Sequence, residues 1–187
     1  MLEKVSTKDR IILGYKTLLK KQPFSVIKVT DILKESGVSH QTFYRHFGDK
    51  YELTSYALYK DAMLFINLYG KNATWKEIVI SILNVIKTNP DFYRKIFAEE
   101  ETQNLFIRTL MRVSLEMTGR ASYEEDCILW VYILAKWSKT NFTMSVSEVY
   151  AKLVFSLPIG GILNGRDYEV VANKYGATTI DGFKTNK

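Results

Sequence analysis

Between Gly37 and Lys50 the chain reads Gly-Val-Ser-His-Gln-Thr-Phe-Tyr-Arg-His-Phe-Gly-Asp-Lys, and this stretch constrains the fold more than any other. A glycine turn stands before a short helix that begins near Ser39. Wound at about 100° per residue, residues 40–47 bring Phe43 and Phe47 together on one side, where they must meet a core. Gln41, Thr42 and Arg45 then point the opposite way, and Tyr44 and His46 lie on the flanks. A short helix split in this way, entered through a glycine turn, fits the second helix of a helix-turn-helix.

The surrounding chain is patterned for helices throughout. Ile11, Ile12, Tyr15, Leu18 and Leu19 share one face of a helix over about residues 6–21, which Pro23 ends. Val29, Ile32 and Leu33 mark a second helix that stops at Gly37. Asp49-x-x-Glu52 starts a longer fourth helix reaching about Tyr69. Thr74-x-x-Glu77, Ser122-x-x-Glu125 and Ser145-x-x-Glu148 read as capping boxes, and Asn89-Pro90 as an N-cap with proline at the first helical position. Pro158, Gly160 and Gly161 close the last helix. No alternating strand pattern persists. The fold class is all-α, with about nine helices. A DNA-binding head over residues 1–48 precedes a larger helical body over 49–161 and a polar, loosely ordered tail over 162–187.

Charge is divided unevenly along this plan. The first fifty residues hold ten Lys/Arg and five Asp/Glu, so +5 of the net +6 belongs to the head. The remaining residues are near neutral. A basic head on a neutral body is the footprint of a nucleic-acid binder. Cys127 is the only cysteine, which excludes an internal disulfide and a thiol zinc site. No apolar run approaches the ~20 residues of a membrane span, and no leader peptide is visible at Met1. A cytoplasmic protein is expected. No nucleophile–base pair, phosphate-binding glycine loop or cluster of metal ligands stands out, so no enzyme activity, metal or cofactor is expected.

On the short helix, Arg45 suits a guanine edge, Gln41 an adenine edge and Thr42 a thymine methyl. Tyr44 suits a phosphate, as does Lys50 at the start of the next helix. Lys28, Thr30, Ser39, His40 and His46 complete the expected DNA-facing set.

Residues 24–53 resemble the DNA-binding head of the tetracycline-repressor-like (TetR) regulators. The matching residues are Val29-Thr30-Asp31-Ile32, Ser36-Gly37-Val38-Ser39, Thr42-Phe43-Tyr44-Arg45-His46-Phe47 and Asp49-Lys50-x-x-Leu53. Two departures show: Lys28 stands where many members place a capping Thr or Ser, and Gln41 where a small residue is common. The resemblance implies a homodimeric regulator of transcription, expected to repress, on a near-palindromic double-stranded operator. It also implies a body that dimerises through its last two helices and binds a small-molecule effector.

Those two helices cover about 123–141 and 145–160. Their stripe of Trp130, Leu134, Trp137, Val149, Tyr150, Leu153 and Leu157 supplies the candidate dimer interface, against the alternative that it is core of one protomer. Phe65, Tyr69, Phe92, Tyr93, Phe97 and Phe106 are candidate pocket residues, with plain packing as the alternative. The acidic run Glu99-Glu100-Glu101 suits either a cationic ligand or a solvated helix start. Rival readings of the whole chain are a helical adaptor that acts mainly through a protein partner, and a non-catalytic small-molecule-binding protein with a vestigial head.

Overall fold

In a computed structural model the described residues are 5–69, 75–118, 122 and 124–156. Among them are nine α-helices, a single 3-10 turn and no strand. The expected tail over 162–187, Leu157 and the Pro158–Gly161 stop lie outside the described residues.

The head is built from three helices. α1 (Thr7–Lys21) opens at Ser6, whose Oγ accepts the Asp9 N–H at 3.1 Å. α2 (Val29–Ser36) packs across it. The approach is closest at Gly14, where a Cβ would stand 3.0 Å from the Ser36 backbone nitrogen and 3.1 Å from its Cα. Between them a 3-10 turn, Phe24–Val26, tucks Phe24 into the core. α2 ends on Gly37 in the left-handed region (φ 64°, ψ 32°), which glycine adopts at little cost. Lys28 precedes α2 and has no acceptor to offer; Asp31 compensates by accepting the Lys28 N–H at 2.9 Å. α3 (His40–His46) follows, capped by Ser39 Oγ, which accepts the Thr42 N–H at 3.2 Å.

α4 (Lys50–Tyr69) leaves the head and enters the body. Its start is held as the sequence suggests: Asp49 accepts the Glu52 N–H at 2.7 Å, and Glu52 reaches back to the Gly48 N–H. The body continues through α5 (Trp75–Thr88), α6 (Pro90–Ile96), α7 (Glu100–Thr118), α8 (Glu124–Lys139) and α9 (Val146–Ser156). α4 packs on α5 and α7, α5 on α9, and α8 on both α7 and α9. The short α6 turns back to touch α1, which α4 also reaches through the Lys16–Asp61 pair. One buried cluster runs from Ile11, Phe43 and Leu53 in the head through Phe92 and Ile96 to Trp137 and Leu153 in the body. The expected 48/49 boundary therefore falls at a short connection that the core crosses without a break.

Two local details refine the reading of the caps. Ser145 and Glu148 form the expected reciprocal pair, Ser145 Oγ accepting the Glu148 N–H at 3.2 Å and Glu148 accepting the Ser145 N–H at 2.7 Å. The Ser145 hydroxyl also donates to the Glu148 carboxylate at 2.7 Å, and this bond, followed by the Ser145 N–H, holds the Glu148 carboxyl below its ordinary value. Asn89 differs: its side chain does not cap α6. Its Nδ2 donates instead to the Val85 carbonyl at 3.0 Å, closing the end of α5. An amide has both donor and acceptor, and here the open carbonyl of the preceding helix takes it.

Candidate nucleic-acid interface

α3 stands on its aromatic face. Phe43 and Phe47 are fully buried, with ring centroids 6.0 Å apart. Gln41, Tyr44 and Arg45 are exposed on the far side, and Tyr44 keeps 46% of its surface in water. No hydrogen bond or ion pair to another described residue holds the side chains of Gln41 or Arg45. They are free to meet an outside partner. Thr42 is half-buried, with its hydroxyl 2.9 Å from Ser39 Oγ. That contact spends both hydroxyls on shaping the N-terminus of the helix. His40 is exposed and lies against Tyr44, with centroids 4.5 Å apart. His46 is half-buried, and its Nε2 is enclosed without a hydrogen-bond partner. That ring faces Phe47 rather than solvent, so His46 belongs to the packing of α3 more than to its outer face. Lys28 and Thr30 are exposed at the start of α2.

Lys50 requires a correction. Its ammonium is not presented as a phosphate ligand. Nζ donates to the carbonyls of Phe24 at 2.9 Å, Ile27 at 3.0 Å and Ser25 at 3.4 Å, and sits 4.2 Å from the Phe24 ring centroid. An ammonium has three hydrogens, and three carbonyls take them. Lys50 therefore clamps the 3-10 turn to the start of α4.

The expected dimer stripe is corrected in the same way. Leu134, Trp137, Val149, Tyr150 and Leu153 are buried inside the protomer, where α8 and α9 pack on each other and on the rest of the body. Trp130 is half-buried against that core. α8 is apolar on two faces. Cys127, Val131, Leu134 and Trp137 face inward, while Ile128, Leu129 and Tyr132 face out. Tyr132 and, on α9, Phe155 keep 55% and 57% of their surface exposed. A shallow groove beside them is lined by Ile133, Met144, Ala151 and Phe155, with Lys136 and Lys152 at its rim. The inward stripe repeats more regularly, so periodicity selected it; the outward residues are the ones left uncovered. Burial and the neighbouring Asp126 push the Cys127 thiol up to about 11, which suits packing rather than redox chemistry.

The candidate pocket aromatics are core. Phe92, Tyr93, Phe97 and Phe106 are buried and touch one another, Phe97 and Phe106 with centroids 5.2 Å apart and Tyr93 and Phe106 6.3 Å apart. Edge-to-face rings at these distances leave no room for a ligand among them. The side chains of Phe65 and Tyr69 lie outside the described residues. The acidic run does not gather either. Glu100 and Glu101 are exposed in the first turn of α7, whereas Glu99 is spent on backbone N–H groups of the head.

Residues 15–57 match the profile of "Bacterial regulatory proteins, tetR family". That span takes in the 3-10 turn, α2 and α3 whole, with the parts of α1 and α4 that hold them. The head over these residues is therefore of the tetR-family type. The profile is one of regulatory proteins. A similar relative is the HTH-type dhaKLM operon transcriptional activator DhaS of Lactococcus lactis subsp. lactis (strain IL1403). It is 29% identical over 97 residues, a stretch covering 52% of this chain and 52% of the relative. The match thus spans about half the length of that relative. A solved structure described as dihydroxyacetone kinase operon activator DhaS shares the fold, with a TM-score of 0.54, 21% identity, and coverage of 81% of this chain and 93% of the other. The structural likeness continues past the head into the helical body. No helix among the described residues is long and apolar enough to cross a membrane.

Proposed function

We propose that the chain is a sequence-specific DNA-binding regulator of transcription, acting as a homodimer on a near-palindromic operator. The observation that carries this reading is the open face of α3. Gln41, Tyr44 and Arg45 project from a helix whose other side is fixed by Phe43 and Phe47 in a tetR-family head. Arg45 can give two parallel hydrogen bonds to a guanine edge, and Gln41 can pair with the N6 and N7 of adenine. Tyr44, Lys28 and Thr30 are placed to meet phosphates, which set register without reading sequence.

The dimer forms through the outward faces of α8 and α9. Ile128, Leu129, Tyr132 and Phe155 make an apolar patch beside a groove, and in a two-fold pair each Phe155 seats against the other copy's groove. Two heads about one helical turn apart, roughly 34 Å, then enter successive major grooves. An effector controls the pair by binding its DNA-bound and free conformations with different affinity. Its site is not the cluster of Phe92, Tyr93, Phe97 and Phe106, which is already filled. The names of both relatives favour a second reading of the sign, activation in place of the expected repression. Deleting the gene raises transcription from its operator if it represses and lowers it if it activates.

Selection of bound duplexes from a random pool tests the central reading. The expected result is a two-fold-symmetric consensus. Enrichment of no sequence at all overturns it.

A further inference from the structure

The 3-10 turn Phe24–Val26 is held from two sides by opposite charges. Glu99, in the connection between α6 and α7, accepts the Phe24 N–H through Oε1 at 2.6 Å and the Ser25 N–H through Oε2 at 3.0 Å. Lys50 takes the carbonyls of the same turn. A body carboxylate thus grips the turn at one end, and the start of α4 grips it at the other. The C-cap of α3, Phe47, lies three residues before Lys50. A second tie runs from α1 to α4 and is backed by α6. Tyr93 donates to Asp61 Oδ2 at 2.9 Å, and Asp61 pairs with Lys16 of α1 at 2.6 Å. Lys60 of α4 also pairs with Asp9, and Thr54 of α4 hydrogen-bonds Tyr15, so several ties and a shared core join α1 to α4; Glu99 adds the tie that reaches the turn beneath α3. The turn's free N–H groups need acceptors in any case, but an acceptor 75 positions along the chain links the head to the body in a way that water cannot.

From this geometry we infer that Glu99 is a positioning residue. It sets the angle of the head on the body, and so the spacing between half-sites that a dimer accepts. The inference rests on the DNA-binding reading above and adds to it the residue that makes spacing matter. Movement of α6 or its C-terminal corner carries Glu99, the turn and Lys50 together, and reaches α3 through its own base. Loss of the Glu99 carboxylate leaves α3 and its reading face intact but frees the 3-10 turn from the body, so the head is held less closely by the α1–α4 bonds and the shared core that remain.

The test uses the full chain and its Glu99→Ala variant. The probes are the palindromic duplex that wild type selects, the same duplex with its centre lengthened or shortened by one and two base pairs, and a single half-site duplex. Wild type is expected to lose about tenfold in affinity when spacing changes, because the DNA must twist to fit. Glu99→Ala is expected to bind the half-site within about twofold of wild type, yet to lose less than about threefold across the spacing series. A wild-type spacing profile in the variant overturns the inference. So does an equal loss on the half-site and the palindromes, which is what simple damage to the head produces. Glu99→Gln replaces the alanine variant if that variant does not fold by circular dichroism, with the same expectation. A second readout needs no DNA. Spin labels at Lys34→Cys and Lys139→Cys, in a Cys127→Ser background diluted with unlabelled chain, report the head-to-body distance. A narrow distribution in wild type that broadens without Glu99 is expected; equal widths overturn the inference. If wild type selects no duplex while the labels still broaden, the DNA reading fails and the joint stands.

Discussion

Arg45 and Lys50 lie five positions apart and carry the same charge, yet the structure gives them different work. Arg45 stands in water with its guanidinium uncommitted. Lys50 has its hydrogens on three carbonyls and its charge over the Phe24 ring. Sequence alone could not separate them, because the partners of Lys50 are backbone atoms more than twenty residues away, and a carbonyl has no sequence signature. The split between the buried and exposed faces of α3 was legible for the opposite reason. It depends only on helical phase and on two phenylalanines four residues apart. Lys50→Met is therefore expected to cost about 1–3 kcal/mol of stability, as a buried polar cluster losing its donor does. It should lower the midpoint in urea. The dependence of DNA affinity on salt should change by less than one phosphate contact. Lys28→Ala should do the reverse, leaving the midpoint in place and reducing the logarithmic salt slope by about 1.

At the scale of the helix, the capped starts at Ser39, Asp49 and Ser145 were readable because each uses residues within four positions of one another. Asn89 was misread as a cap of α6 because its donor found the end of α5 first. The dimer stripe failed for a different reason. A helix that is apolar on two faces satisfies the helical period twice, and periodicity does not say which face turns inward. The neighbouring helices decide it: α7 and α9 cover the side holding Val131, Leu134 and Trp137. The connection between α8 and α9 shows what such packing can impose. Asn141 and Phe142 both sit at positive φ, 54° and 57°, which is strained for a side chain as large as phenylalanine. Burial of Phe142 edge-on against Trp137, with centroids 5.1 Å apart, offsets that strain. In the head, the crossing of α1 and α2 depends on the missing Cβ of Gly14. Gly14→Ala should lower stability by about 1–3 kcal/mol, since the clash is with the Ser36 backbone rather than with a side chain that could turn aside. Chemical denaturation measures this directly, and an unchanged midpoint would show that α2 shifts freely.

For the whole molecule, the continuous core matters more than the division into head and body. Buried residues run from Ile11 to Leu153 without a gap, so a change in the body has solid material through which to reach α3. In the proposed dimer the outward face of α8 and α9 meets the second copy. Phe155→Glu should convert the dimer to monomers in sedimentation, because a charge in an apolar two-fold contact is counted twice. Val149→Ala, inside the protomer, should cost stability without changing the mass. A dimer that survives Phe155→Glu places the contact elsewhere. Assembly and the open face of α3 meet in one claim, that a paired helix reads base edges. Fluorescence anisotropy with the selected duplex and a scrambled one of equal length tests it, comparing wild type with Arg45→Ala. Wild type should favour the selected duplex strongly, and Arg45→Ala should lose about 1–3 kcal/mol of that preference per half-site while still binding both duplexes at low salt. An Arg45→Ala protein that discriminates as well as wild type would contradict the account.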